Sequence, residues 1–184
     1  MKEYILKIYQ EHNFFIKENV MKWILMVVLF LICVFIGFIF SSKYKKRMAF
    51  FSSLILLAQK LDVEINYSRE RLKKLIEGFD EKAKKNLLGI DVAFLDYLEK
   101  GGDLSSERLF KKSTLIKTEE KEIVTMFFKN LGRSDVENQT KEIKNSLIRF
   151  EKLLSDATGE NKKYGTLGTK LGIITGLVIA ILLI

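Results

Sequence analysis

From Trp23 to Phe40 the chain runs for 18 residues without a charge (WILMVVLFLICVFIGFIF). At 1.5 Å per residue such a segment makes about 27 Å of helix, close to the hydrocarbon thickness of a bilayer. It predicts a transmembrane helix over 23–40. A cleaved signal peptide has a shorter apolar region followed by a small-x-small site. Here the run leads straight into Ser41-Ser42-Lys43-Tyr44-Lys45-Lys46-Arg47, so it reads as an uncleaved anchor. The cluster Lys43, Lys45, Lys46 and Arg47 is a topology signal that assigns the following segment to the cytoplasm, since only Lys22 stands immediately before the anchor. The residues before the anchor then face outward.

The last 14 residues, Leu171 to Ile184, are also uncharged. They make about 21 Å of helix, short for a span. Starting at Leu167 lengthens the segment to 18 residues, with Lys170 extending its ammonium to the interface. Lys162, Lys163 and Lys170 precede it, so the chain enters from the cytoplasm and ends outside, consistent with the first anchor. Gly168, Gly172 and Gly176 recur every four residues, a face on which another helix packs closely. Its partner is either the first anchor, through Gly37, or a helix of another subunit, which leaves a homo-oligomer open.

Residues 1–22 form an extension with Ile5, Ile8, Phe15 and Ile16 among charges. Two readings stay open for it: a short interfacial helix, or an untranslated stretch ahead of a start at Met21.

Between the anchors the chain reads as helices separated by cap signals. Proline is absent where average usage predicts about nine, so nothing forbids long helices. Phe50, Leu54, Leu57, Leu61 and Ile65 form one apolar stripe continuing from the anchor, extended by Leu72, Leu75, Ile76 and Phe79. Ile90, Phe94, Tyr97 and Leu98 mark a short helix ending at Gly101-Gly102, and Leu104, Leu109 and Phe110 another. Thr118 with Glu119 and Glu120 reads as an N-cap with acids in the first turn, opening a helix with a stripe at Ile123, Phe127 and Leu131. Ser134 and Glu137 fit a capping box that starts the next helix. Its seam is Ile143, Leu147, Phe150, Leu154 and Ala157, so 131–134 is the turn of a helical hairpin. Gly159 and Gly165 either bend this helix before the membrane or sit in a continuous one. The expected fold is all-α: a membrane-anchored cytoplasmic helical bundle over 41–166, with transmembrane helices at 23–40 and 167–184.

Catalytic chemistry is not written into the chain. No G-x-x-x-x-G-K-[ST] phosphate loop occurs. One cysteine, Cys33 inside the anchor, and one histidine, His12, cannot build a zinc site of the usual Cys/His type. The expectation is no enzyme, no catalytic residue, no cofactor and no metal. The net charge of +8 is carried by 25 Lys and 6 Arg, and Lys is a flexible point charge rather than a planar fork for bases.

With that layout, several segments resemble the stage III sporulation protein AB family. They are Glu64-Ile65-Asn66-Tyr67 on the first long helix, Leu131-Gly132-Arg133-Ser134-Asp135-Val136-Glu137-Asn138-Gln139 at the hairpin, and Lys163 to Gly176 before an aliphatic end. The similarity covers about Met21 to Ile184. The chain departs from the family pattern in its first 20 residues and in reading Ser68-Arg69-Glu70-Arg71 where a proline is expected after the E-I-x-Y segment.

The resemblance implies a platform or adaptor in the channel between mother cell and forespore, similar to the F-domain platform proteins of type II secretion and type IV pilus machines. It implies a multi-pass cell-membrane location with the bundle in the mother-cell cytoplasm. Its partners would be a cytoplasmic hexameric ATPase similar to stage III sporulation protein AA and other proteins of the same channel, without nucleic acid. Glu64, Tyr67, Gly132, Asp135 and Gln139 are the candidate interaction or structural residues. Gly132 suits a helix C-cap and Asp135 a helix N-terminus, whereas Glu64 and Tyr67 share a helix face open either to a partner or to the bundle. The competing reading is a membrane-anchored basic helical module that binds nucleic acid or anionic lipid.

Overall fold

The computed structural model describes residues 2–67, 78–91, 93–94, 96–97, 109–110, 113–131 and 133–183, with side chains from Val20 onward apart from 65–67. Helices account for nearly all of it, and no strand occurs among the described residues. The element order is α1 (Lys2–Tyr67), α2 (Glu81–Leu88), α3 (Thr118–Asn130), α4 (Val136–Glu160), a π-helical turn (Asn161–Gly165) and α5 (Thr166–Leu183). The chain divides into two compact units, 1–41 with 166–184, and 42–165.

The first unit contains both uncharged runs. Only 17% of the apolar window in α1 and 11% of that near α5 is buried inside the protein, so neither is the core helix of a soluble fold. Trp23, Phe35, Ile36, Ile181 and Leu182 are all more than half exposed. That much outward apolar surface needs a membrane or another protein to cover it. The two helices pack at their glycines. A Cβ added to Gly37 would lie 2.6 Å from the Gly168 carbonyl oxygen and 3.1 Å from the Gly172 Cα, and one added to Gly172 would lie 2.7 Å from the Cys33 carbonyl oxygen. Backbone sits directly against backbone there, the close approach that small residues permit between membrane helices. Of the two partners open to Gly168, Gly172 and Gly176, α1 is the one seen.

The second unit is a bundle with a phenylalanine-rich core. Phe50, Leu54 and Leu57 are fully buried and Leu61 nearly so, which is the expected stripe. Around Phe94 three rings converge, Phe110 and Phe128 at 5.2 Å and Phe50 at 6.1 Å between centroids. Edge and tilted geometries of this kind add to the roughly 1.5–3 kcal/mol that burying each such side chain contributes. Leu72, Leu75, Ile76, Leu98, Gly101, Gly102 and Leu104 lie outside the described residues.

One helix is added and two expectations are corrected. Helix α2 was not anticipated. It starts because Asp80 is its N-cap, with a carboxylate oxygen 2.9 Å from the Ala83 amide, and it buries Ala83 and Leu87 one turn apart. On α3 the buried face is Val124, Phe127 and Phe128, and Ile123 and Leu131 are only half-buried. The face turns by one residue because Phe128 packs against Phe94 and Tyr97. Both helix starts also slip by one residue: Lys117 is the N-cap of α3 and Asp135 that of α4, and no Ser134 side-chain cap forms.

Candidate functional site: a buried ion cluster and the hairpin groove

Helices α3 and α4 form the expected hairpin. Phe127 meets Phe150 at 5.1 Å, and Lys117 at the start of α3 reaches Glu160 at the end of α4 at 2.8 Å, so the helices are antiparallel. Ile143, Phe150 and Ala157 are buried along the α4 seam, with Leu147 and Leu154 packed beside them.

At the open end of the hairpin stands a cluster of charges. Arg47 on α1 is 5% exposed and Glu120 on α3 is 4% exposed. The guanidinium engages Glu120 as a fork: Nη2 donates to Oε1 at 2.5 Å and Nε to Oε2 at 3.3 Å. Its Nη1 donates to Glu160 on α4, whose other oxygen accepts from Lys117 Nζ. Glu120 Oε2 also accepts from the Lys117 amide at 2.8 Å, so the same carboxylate caps the first turn of α3. Two charges out of water need such saturation, because a lone buried charge is costly.

The electrostatics follow from this geometry. Burial works against the Arg47 charge, but the hydrogen bond to Glu120 and the attraction of Glu120 and Glu160 outweigh it and raise its pKa. Glu160 is held below its ordinary carboxylate value, first by the Lys117 hydrogen bond and also by Arg47. Lys117 is raised by the same bond. Each of these three shifts favours the charged form, and the cluster ties α1, α3 and α4 together with directional bonds. Glu160 is the last residue before the π turn, in which the Asn161 side chain fills the space over Gly165.

The candidate residues fall in different places. Lys43, Lys45 and Lys46 are exposed, while Arg47 points inward. Glu64 is half-buried on α1, and Tyr67 ends that helix with its side chain outside the described residues. Gly132 also lies outside them. Asp135 is exposed, and its carbonyl accepts from the Gln139 amide at 2.8 Å. Gln139 is 3% exposed, despite being polar, and lines a cleft of about 210 Å³ between α3 and α4 with Ile123, Met126, Phe127 and Arg149. Sequence reasoning missed the role of Glu120 beyond capping and missed Glu160 altogether. The signal was a single arginine at the inner edge of a lysine run. Among the described residues no group of three or more His, Cys, Asp and Glu side chains comes together.

No curated protein and no solved structure matches the chain. A family model described as stage III sporulation protein AB matches residues 22–184, nearly the whole chain, including the hairpin, the ion cluster and both apolar segments. That agrees with the resemblance carried by the hairpin and the glycine-rich tail, and it links the chain to stage III of sporulation. The chain belongs to the stage III sporulation protein AB family.

Proposed function

We propose that the protein is a non-enzymatic platform in the cell membrane of the mother cell. Its bundle lies in the cytoplasm, and it couples a cytoplasmic hexameric ATPase to the channel proteins assembled across the membrane. The observation that carries this reading is the Arg47–Glu120–Glu160 cluster. The two helices that lead toward the apolar segments, α1 and α4, are each bonded through it to α3. A displacement applied to the hairpin would then pass to both helices, since rigid helices joined by saturated buried bonds move together. The cleft around Gln139 and the exposed Met126 make the hairpin the part of the bundle offered to the ATPase.

Two experiments test this. Deletion of the gene in a spore-forming host should abolish heat-resistant spores after engulfment, with rescue by the full chain. Normal sporulation without a paralogue would refute a role in the channel. Detergent-solubilised protein should retain the ATPase on an affinity column, and Met126→Asp should release it. Absence of binding by the intact protein, with sporulation still lost on deletion, would leave a channel role without ATPase coupling.

A further inference from the structure

We infer that the open face of the α3–α4 hairpin pairs with the same face of a second copy of this chain. If the hairpin is the ATPase-docking surface proposed above, the ATPase must displace that copy to bind. The face is centred on the cleft of about 210 Å³, with Ile123, Met126 and Phe127 in its α3 wall and Gln139, Ser146 and Arg149 in its α4 wall. Met126 is 57% exposed, so the apolar middle of the face is uncovered in a single copy. The charges around it follow a fixed order. Because α3 and α4 are antiparallel, Glu119 and Glu122 on α3 run beside the half of α4 that carries Arg149 and Lys152. Lys129 and Arg133, at the other end, run beside Glu142. All seven are exposed, and none makes an ion pair or side-chain hydrogen bond among the described residues. Acid and base therefore stand at matching levels on the two sides of the cleft without meeting.

The occupant follows from that order. A half-turn about an axis along the cleft sets α3 of one copy against α4 of the other and leaves every level unchanged. Glu119 and Glu122 then face the second copy's Arg149 and Lys152, while Lys129 and Arg133 face its Glu142. Each contact occurs twice, as a self-complementary two-fold interface requires. Met126 of each copy lies against the cleft of the other, so the apolar centre is covered and the ion pairs form the rim that sets orientation. Asp156 stands one turn farther out than Lys152, and Lys144 lies on the opposite side of α4 from the cleft. An unrelated partner would have to reproduce this order of charges, whereas a second copy carries it by symmetry. Self-pairing does not depend on ATPase coupling; only the displacement does.

The test is sedimentation velocity of the full chain in detergent over a range of protein concentrations, with circular dichroism to confirm that each variant keeps its helix content. The intact chain should form a dimer that dissociates on dilution. Arg149→Glu/Lys152→Glu should weaken the dimer about tenfold or more, because acid then faces acid. Adding Glu119→Lys/Glu122→Lys to the same chain should restore it to within about threefold, since the pairs re-form with reversed sign. Lys144→Glu should leave it unaltered. A monomer at every concentration would overturn self-pairing, as would a dimer indifferent to Arg149→Glu/Lys152→Glu or a folded four-substitution chain that stays monomeric. Adding the ATPase should dissociate the dimer, and ATPase bound to an intact dimer would overturn the displacement. No ATPase binding at all, with the dimer and its variants behaving as stated, would refute ATPase docking and leave self-pairing standing.

Discussion

Replacing Arg47 with methionine removes the centre of the ion cluster while keeping a long apolar stem. The side chains of Arg47 and Glu120 are 6% and 5% exposed, so Arg47→Met leaves a carboxylate in a site water barely reaches. Removing one partner of a buried pair costs about 3–5 kcal/mol. At about 2–4 °C per kcal/mol for a chain of this size, the bundle transition should fall by roughly 6–20 °C. Glu160 adds little to that loss, because it is 28% exposed and still bonds Lys117. Neutralising the stranded group separates the burial penalty from lost packing. In Arg47→Met/Glu120→Gln the amide oxygen can still accept from the Lys117 amide, so the α3 cap survives while the buried charge disappears. The double variant should recover at least half of the loss. Thermal unfolding followed by circular dichroism at 222 nm in detergent reads both effects. A drop below about 3 °C for Arg47→Met, or a double variant as unstable as the single one, would refute the argument that an uncompensated carboxylate sets the cost.

Acid should act on the same cluster. Glu160 has a folded pKa below its ordinary value of 4.5, so its contribution is complete above that pH and is lost as pH falls through the folded value. Unfolding midpoints measured from pH 6 down to 3 should decline, and Glu160→Gln should flatten the decline. Glycines divide into two kinds. Gly37→Ala should loosen the α1–α5 contact, seen as faster proteolysis in detergent, because backbone cannot retreat from a methyl group 2.6 Å away. Gly159→Ala, exposed within α4 with nothing within 4 Å, should instead stabilise by about 0.5–1 kcal/mol in the same thermal assay. Phe94→Ala, at the meeting point of three rings, should cost about 3–5 kcal/mol by chemical denaturation.

Periodicity made the long elements legible. An uncharged run of membrane length, a four-three stripe such as Phe50 to Leu61, and glycines every four residues each carry their meaning locally, because one helix face decides them. Helix α2 was equally local, with Asp80 as its cap and Ala83 and Leu87 on one face, but its eight residues are too few to form a conspicuous stripe. The ion cluster was not legible. Lys43 to Arg47 looks like one solvated run, and only the rotation of α1 in the bundle, set by Phe50 and Phe51, turns the fifth residue inward. Its partners lie 73 and 113 residues away. The shift of the α3 face from Ile123 to Val124 has a similar cause: Phe127 and Phe128 are both buried, one against Phe150 and the other against Phe94, which turns the face toward Val124.

Those separations also set a schedule during synthesis. At about 5–20 residues per second, Arg47 emerges some 4–15 s before Glu120 and some 6–23 s before Glu160. For that interval a nascent chain holds Arg47 without either of its carboxylates, and the Phe50, Phe51, Leu54 and Leu57 face meets only the earlier part of the core, such as Phe94. The first apolar run is complete before any of this. Nascent chains halted before residue 120 should therefore depend on a holding chaperone, and release from it should come only after the C-terminal helix has been made.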